Sequence, residues 1–296
     1  MIRTLLLGLA TWMAATAVHA GEDRYARPEL LVEPAELAKA GSKLLILDAR
    51  KRNAYEAGHV PGAVWVDHDS WSKAFGDGGN VPAWEKRIGG LGIGNDTTVV
   101  LYDDDLSKSA ARIWWILSYY GVKDARLLNG GWRGWTSAGL PVEKDQVEPK
   151  AASFQAKEQP DRLADTAEVL ASLRDGSLQV LDVRSLGEHC GTTKMSAKAG
   201  AIPGAKHLEW TELLDPKTHR FKSASEIKKL LDEAGIVLDR PAVTHCQGGG
   251  RSSVSAFGLE LMGGQGVQNY YRGWSAWGND PKTPVEQKPL PQSKSN

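Results

Sequence analysis

Only two cysteines, Cys190 and Cys246, occur in 296 residues, which excludes a disulfide scaffold built on several bridges. No Cys-x-x-Cys, no His-Glu-x-x-His and no other run with metal-ligand spacing is present, so no metal site is expected. His59, His68, His189, His207 and His219 are scattered and read as structural or solvated groups. An excess of charge of one sign is missing too, because Lys+Arg and Asp+Glu both number 36. That balance removes any global electrostatic reason to bind nucleic acid or an anionic membrane. Anion specificity has to come from a local site. Beyond Ala20 no apolar run approaches the length of a membrane span.

What is present begins with a targeting pattern. Met1-Ile2-Arg3 is a short basic start, Leu5 to Val18 is mostly apolar, and Val18-His19-Ala20 ends in a small residue. Residues 1–20 read as a secretory signal peptide removed after Ala20, so the mature chain is expected to be exported, and periplasmic in a Gram-negative source. The eleven tryptophans read as core residues with satisfied indole N–H groups.

The chain is written twice. Leu44-Leu45-Ile46-Leu47-Asp48-Ala49-Arg50 is matched by Leu178-Gln179-Val180-Leu181-Asp182-Val183-Arg184. Gly58-His59-Val60-Pro61-Gly62-Ala63 is matched by Gly200-Ala201-Ile202-Pro203-Gly204-Ala205, and Gly131-Trp132-Arg133-Gly134-Trp135 by Gly273-Trp274-Ser275-Ala276-Trp277. The offset is 134 at Asp48/Asp182 and 142 at Pro61/Pro203, so the second copy carries eight extra residues. They fall around Cys190 to Ala199, a polar stretch that reads as a surface loop.

Short apolar runs such as 44–47 and 99–102 suit strands buried on both faces of a parallel sheet. The stretches 110–120 and 253–262 have the length and apolar content of helices. This alternation predicts an α/β fold of two tandem domains, each a mostly parallel central sheet flanked by helices. The domains are expected at 24–142 and 162–286. A Lys/Glu/Gln/Pro-rich linker is placed at 143–161 and a disordered tail at 287–296.

The chemistry concentrates at His245-Cys246-Gln247-Gly248-Gly249-Gly250-Arg251-Ser252. A buried strand ends there, and a helix is expected to start at Ser252 or Ser253. Glycines let the backbone turn tightly and aim successive N–H groups at one centre. A helix N-terminus adds unsatisfied N–H groups and partial positive charge, and Arg251 adds a full one. A thiol in such a place is ionised and nucleophilic, its pKa falling from about 8.5 toward roughly 3.5–7.5. Cysteine phosphatases carry Cys-x5-Arg-Ser/Thr; here four residues separate Cys246 from Arg251. A loop one residue shorter fits a single terminal sulfur better than a phosphoryl group, which favours sulfur transfer. A cysteine-type phosphatase and a non-catalytic persulfide carrier remain as alternatives.

The repeated Asp-x-Arg, the Gly-x-Val/Ile-Pro-Gly-Ala motif, the cysteine loop and Gly-Trp-x-x-Trp-Gly together resemble the rhodanese superfamily, specifically its two-domain thiosulfate/3-mercaptopyruvate sulfurtransferases. The resemblance runs from about residue 30 to 286. It implies two rhodanese-like domains, of which only the C-terminal one is catalytic. Asp103, followed by Asp104 and Asp105, stands where Cys246 stands in the second copy, which agrees. The resemblance further implies a double displacement without a cofactor, through a persulfide on Cys246. The donor is thiosulfate or 3-mercaptopyruvate and the acceptor cyanide or a thiol. Gln247, Gly248, Gly249, Gly250, Arg251 and Ser252 are expected around the sulfur, with Arg184 of Asp-x-Arg as a further substrate-binding candidate. An ion pair of Arg184 with Glu188 is its structural alternative. Trp274 and Trp277 are expected to be packing residues and the protein a monomer. Arg251 favours thiosulfate, although Gln247 stands where a second basic residue is often found. Ala201 replaces the histidine usual in its motif. A Cys190–Cys246 bridge would act as an oxidative off-switch.

Overall fold

Runs of apolar residues closed by turn residues set the frame, and each run forms a parallel strand whose carboxyl end faces the same edge. The computed structural model describes residues 23–41, 44–76 and 80–290; the signal expected over 1–20 lies outside them. The first domain has strands β1 (Leu31–Val32), β2 (Leu45–Asp48), β3 (Val64–Trp65), β4 (Thr98–Tyr102) and β5 (Asp124–Leu128). Its helices are α1 (Pro34–Ala40), α2 (Arg52–Ala57), α3 (His68–Phe75), α4 (Val81–Gly90), α5 (Lys108–Tyr119) and α6 (Gly131–Ser137). The second has β6 (Gln179–Asp182), β7 (Lys206–His207), β8 (Ala242–His245) and β9 (Val267–Tyr270). Its helices are α7 (Thr166–Asp175), α8 (Leu186–Cys190), α9 (Ala224–Glu233), α10 (Gly250–Leu261) and α11 (Gly273–Trp277).

The sheets run β1-β5-β4-β2-β3 and β7-β6-β8-β9, and all strand pairs are parallel. The expected α/β architecture is therefore present twice. The edge strand β1 has only a one-residue counterpart in the second domain, where Leu163 bridges Asn269. Register puts Asp48 opposite Tyr102 and Asp182 opposite His245. Each Asp-x-Arg thus lies beside the loop that leaves the central strand, at the carboxyl edge where such sheets hold ligands.

Helix α10 starts at Gly250, earlier than expected, because Gly249 adopts φ +86° and turns the chain directly into the helix. The linker is not free. His59 and Glu143 exchange backbone hydrogen bonds, Ala152 N–H donates to Gly89, Lys157 to Tyr120 and Gln159 to Tyr119. Phe154 is buried. The start of the expected disordered tail is tied down as well: the Lys288 ammonium donates to the Ala205 carbonyl at 3.0 Å, just after Glu286 bridges Ala201 at the end of the domain. Residues 291–296 lie outside the described ones.

One hydrophobic core crosses the domain boundary. Trp114 of α5 meets Phe257 of α10 edge to face at 4.9 Å, and Tyr271 inserts against Phe75 at 4.7 Å and Trp115 at 5.5 Å. Such aromatic burial makes the boundary behave as interior. Calorimetry is accordingly expected to show one unfolding transition for both domains, and Trp114→Ala to lower its stability by about 3–5 kcal/mol. Two separable transitions would contradict this.

Candidate active site

Strand β8 is buried at every residue, and it delivers Cys246, 2% exposed, to a loop that Arg112 of the first domain reaches. The Cys246 carbonyl accepts the Trp274 N–H at 2.7 Å and the Gln247 carbonyl accepts the Ser275 N–H at 3.0 Å. The start of α11 can come this close because Gly273, at φ +50°, has no Cβ; one there would collide with the Cys246 carbonyl oxygen. With both carbonyls drawn away, N–H groups are left for the sulfur. Those of Gly248 and Ser252 favour its ionised form, and Ser252 Oγ stands 3.5 Å from Sγ.

Burial pushes the Cys246 thiol up, but the Arg251 charge, the Ser252 hydroxyl and the N–H groups of Ser252 and Gly248 outweigh it and hold the thiol below its ordinary range. This arrangement stabilises a thiolate, and equally any anionic sulfur bonded to it. Arg251 is itself held in a two-point ion pair, Nη1 to Glu188 Oε2 at 2.6 Å and Nη2 to Glu188 Oε1 at 2.9 Å. Glu188 also closes the capping box of α8 with Ser185. Glu188 therefore belongs to Arg251, not to Arg184.

Arg184 is buried and its guanidinium is already engaged, contrary to the expectation that it binds substrate. It is 1% exposed, and its Nε and Nη2 bond to Asp182 at 2.9 and 2.6 Å. Its Nη2 also donates to the Gly200 carbonyl at 2.7 Å, and its guanidinium lies 4.2 Å over the Trp274 ring. The first domain repeats the arrangement. Arg50 pairs with Asp48, donates to the Gly58 carbonyl at 2.7 Å and lies 4.0 Å over Trp132. A constellation present beside both loops, only one of which has a thiol, is a staple between strand, loop and last helix.

The side chain of Gln247 is also withdrawn, donating to Ser196 Oγ at 3.2 Å. The eight extra residues are therefore more than surface: Met195 and Ser196 flank the cysteine loop, and Lys198 N–H donates to the Gly278 carbonyl. Ala201 keeps the backbone bridge to Glu286 that His59 makes to Glu143. Trp274 and Trp277 are buried packing residues, as expected. Both cysteines are free, and the Cys190 thiol faces the Pro289 carbonyl at 3.8 Å.

Two contributors were missed. Asn269 is fully buried and binds Ser252 Oγ at 2.7 Å and Ser253 Oγ at 3.0 Å; polar residues inside the short strand β9 were its signal. Arg112, from α5 of the first domain, donates from Nη2 to the Gly248 carbonyl at 2.7 Å. A lone charge within Ala110-Ala111-Arg112-Ile113-Trp114-Trp115 was its signal. His68 also faces Arg112; burial and then the Arg112 charge push its pKa down to about 4, so it stays neutral near pH 7.

The first copy keeps the loop but fills it. Asp103 Oδ1 accepts the N–H groups of Asp105 and Ser107 at 2.9 Å, and Oδ2 that of Ala110 at 2.8 Å. Its carbonyl accepts the Trp132 N–H at 2.8 Å, as the Cys246 carbonyl accepts that of Trp274. The chain's own carboxylate thus occupies the place of an anion.

The rhodanese-like domain profile matches residues 33–138 and 165–280. The chain is 32% identical over 264 residues to a thiosulfate sulfurtransferase of Pseudomonas aeruginosa, covering 87% of this chain and 97% of that one. It is 27% identical over 266 residues to a 3-mercaptopyruvate sulfurtransferase of Escherichia coli, covering 88% and 92%. Among solved structures it is similar to the anaerobic ergothioneine biosynthesis enzyme of Chlorobium limicola in complex with trimethyl histidine. That match has a TM-score of 0.81 and 28% identity, and covers 90% of this chain and 72% of that one.

Two outcomes are expected. Arg184→Met and Arg50→Met each strand a buried aspartate and lower stability by about 3–5 kcal/mol in urea unfolding; in the folded fraction the KM for the sulfur donor is unchanged, whereas a raised KM for Arg184→Met alone would return that residue to the substrate site. Alkylation of Cys246 by iodoacetamide rises with pH and levels off below the ordinary thiol range, since the folded protein releases this proton early. A midpoint at or above that range would remove the thiolate.

Proposed function

The chain belongs to the rhodanese-like family, and on that premise we propose that it is a sulfurtransferase that takes sulfane sulfur from thiosulfate onto Cys246. The observation that carries the reading is a buried, free thiol held below its ordinary pKa beside the backbone N–H groups of Gly248 and Ser252 at the start of α10. The thiolate attacks the outer sulfur of thiosulfate. A bond forms between Sγ and that sulfur, the sulfur–sulfur bond of the donor breaks, and sulfite leaves with the electron pair. The terminal sulfur then carries the negative charge, and the N–H groups that faced the thiolate serve it with little rearrangement. Cyanide or a thiol next attacks the terminal sulfur and takes it away as thiocyanate or a new persulfide, which returns the Cys246 thiolate.

Thiosulfate is a dianion, and two guanidinium groups at the loop, Arg251 and Arg112, support it as donor. Arg112 supplies from the first domain the second cation that Gln247 does not. One observation favours 3-mercaptopyruvate instead: Glu188 takes both Nη atoms of Arg251 and so offsets its charge. Mass spectrometry after thiosulfate treatment is expected to find one added sulfur on the Cys246 peptide, released by cyanide and absent in Cys246→Ser. Thiosulfate should also give the higher kcat/KM of the two donors. A higher value with 3-mercaptopyruvate would reassign the donor, and no sulfur adduct from either would sink the reading.

A further inference from the structure

In a trans peptide the carbonyl and the following N–H point to opposite sides. A carbonyl drawn outward therefore turns the next N–H inward. Trp274 draws out the carbonyl of Cys246, and Ser275 that of Gln247; the second turns the Gly248 N–H toward the sulfur, whose acidity this group raises. The third carbonyl in the series, that of Gly248, has no partner in α11. It is held from the opposite domain by Arg112 Nη2 at 2.7 Å. The Arg112 guanidinium lies 5.6 Å over the Tyr271 ring, whose other neighbours Phe75 and Trp115 belong to the first domain. Gly250 makes the room, since a Cβ there would stand 2.5 Å from Arg112 Nη2.

We propose that Arg112 is a positioning residue for sulfur transfer: by pinning the Gly248 carbonyl outward, the first domain orients the Gly249 N–H and completes the cradle around Cys246. The first domain then contributes to the chemistry although its own loop carries a carboxylate. A guanidinium suits the task because its planar fork spans the aromatic ring and the carbonyl together, whereas an ammonium is a point charge. The proposal rests on the sulfur-transfer reading only for what the cradle holds, since the pin acts on the bare thiolate as well.

The test is the pH dependence of iodoacetamide alkylation, read on the Cys246 peptide of sulfur-free full-length protein. Arg112→Met is expected to raise the midpoint by about one unit, leaving roughly tenfold less thiolate at a pH below it. Gly250→Ala retains the charge near the loop but displaces the guanidinium from the carbonyl. It is expected to give the same shift, and the double variant no further one. It also keeps the proposal open to refutation should Arg112→Met fail to fold. Arg27→Met, which removes an interdomain ion pair of 3.2 Å with Glu260 away from the loop, is expected to leave the midpoint in place. A shift in Arg112→Met alone would mark a charge effect and overturn the pin, as would no shift in either variant or shifts that add. Thiosulfate loading of the unaltered protein is scored separately. Its failure with the alkylation shift intact would refute sulfur transfer and leave the pin standing.

Discussion

The site depends on where the carbonyl groups of the Cys246 loop go. A thiolate buried at 2% exposure is costly in a low-dielectric interior unless donors surround it, and the nearest donors are backbone N–H groups of its own loop. Each such group is joined to a carbonyl that would repel the sulfur if it turned the same way. The fold settles this by giving each carbonyl a partner elsewhere: Trp274, Ser275 and Arg112 take those of Cys246, Gln247 and Gly248. That is why the Gly-Trp motif after the last strand and the cysteine loop answer each other across the sequence. Gly273 must lack a side chain for the two backbones to meet.

The same frame without the thiol shows which parts are architecture. In the first domain Gly131 and Trp132 approach Asp103 as Gly273 and Trp274 approach Cys246. Arg50 and Asp48 repeat the Arg184–Asp182 staple over Trp132. What changes is the content of the loop. Without glycines, Leu106 and Ser107 take the left-handed conformation themselves, at φ +52° and +61°, and their backbone closes on the Asp103 carboxylate. Burial pushes that carboxyl up to about 6, against the pull of the Ala110 and Asp105 N–H groups. An anion-binding loop is retained there and satisfied internally.

The repeat, the parallel sheets and the cysteine loop were legible because each is local in sequence: strand-length apolar runs, duplicated motifs, and glycines beside a cysteine and an arginine. Glu188 and Arg184 were misread for the opposite reason. A carboxylate one helical turn from an arginine looks like its partner, but Arg184 bonds Asp182, two residues before it, and α10 brings Arg251 to Glu188. Gln247 was placed around the sulfur by its neighbourhood in the chain, whereas Ser196, which holds it, arrives from a loop some fifty residues earlier. Partners fixed by tertiary packing leave at most a faint trace, such as the single charge of Arg112 among apolar residues.

Sequence assigns catalysis to the second copy, yet the geometry does not confine it there. The eight residues that distinguish the second copy form one wall, with Ser196 on Gln247 and Lys198 on the end of α11. Helix α11 forms the floor, and α5 of the other domain supplies Arg112 and the aromatic surface against Tyr271. The contiguous core between α5 and α10 fixes the distance over which Arg112 reaches its carbonyl, a separation that a flexible hinge would not hold to within a hydrogen bond. Stability of the domain boundary and acidity of Cys246 are thus set by the same packing, and the first domain is retained as part of the site it does not itself house.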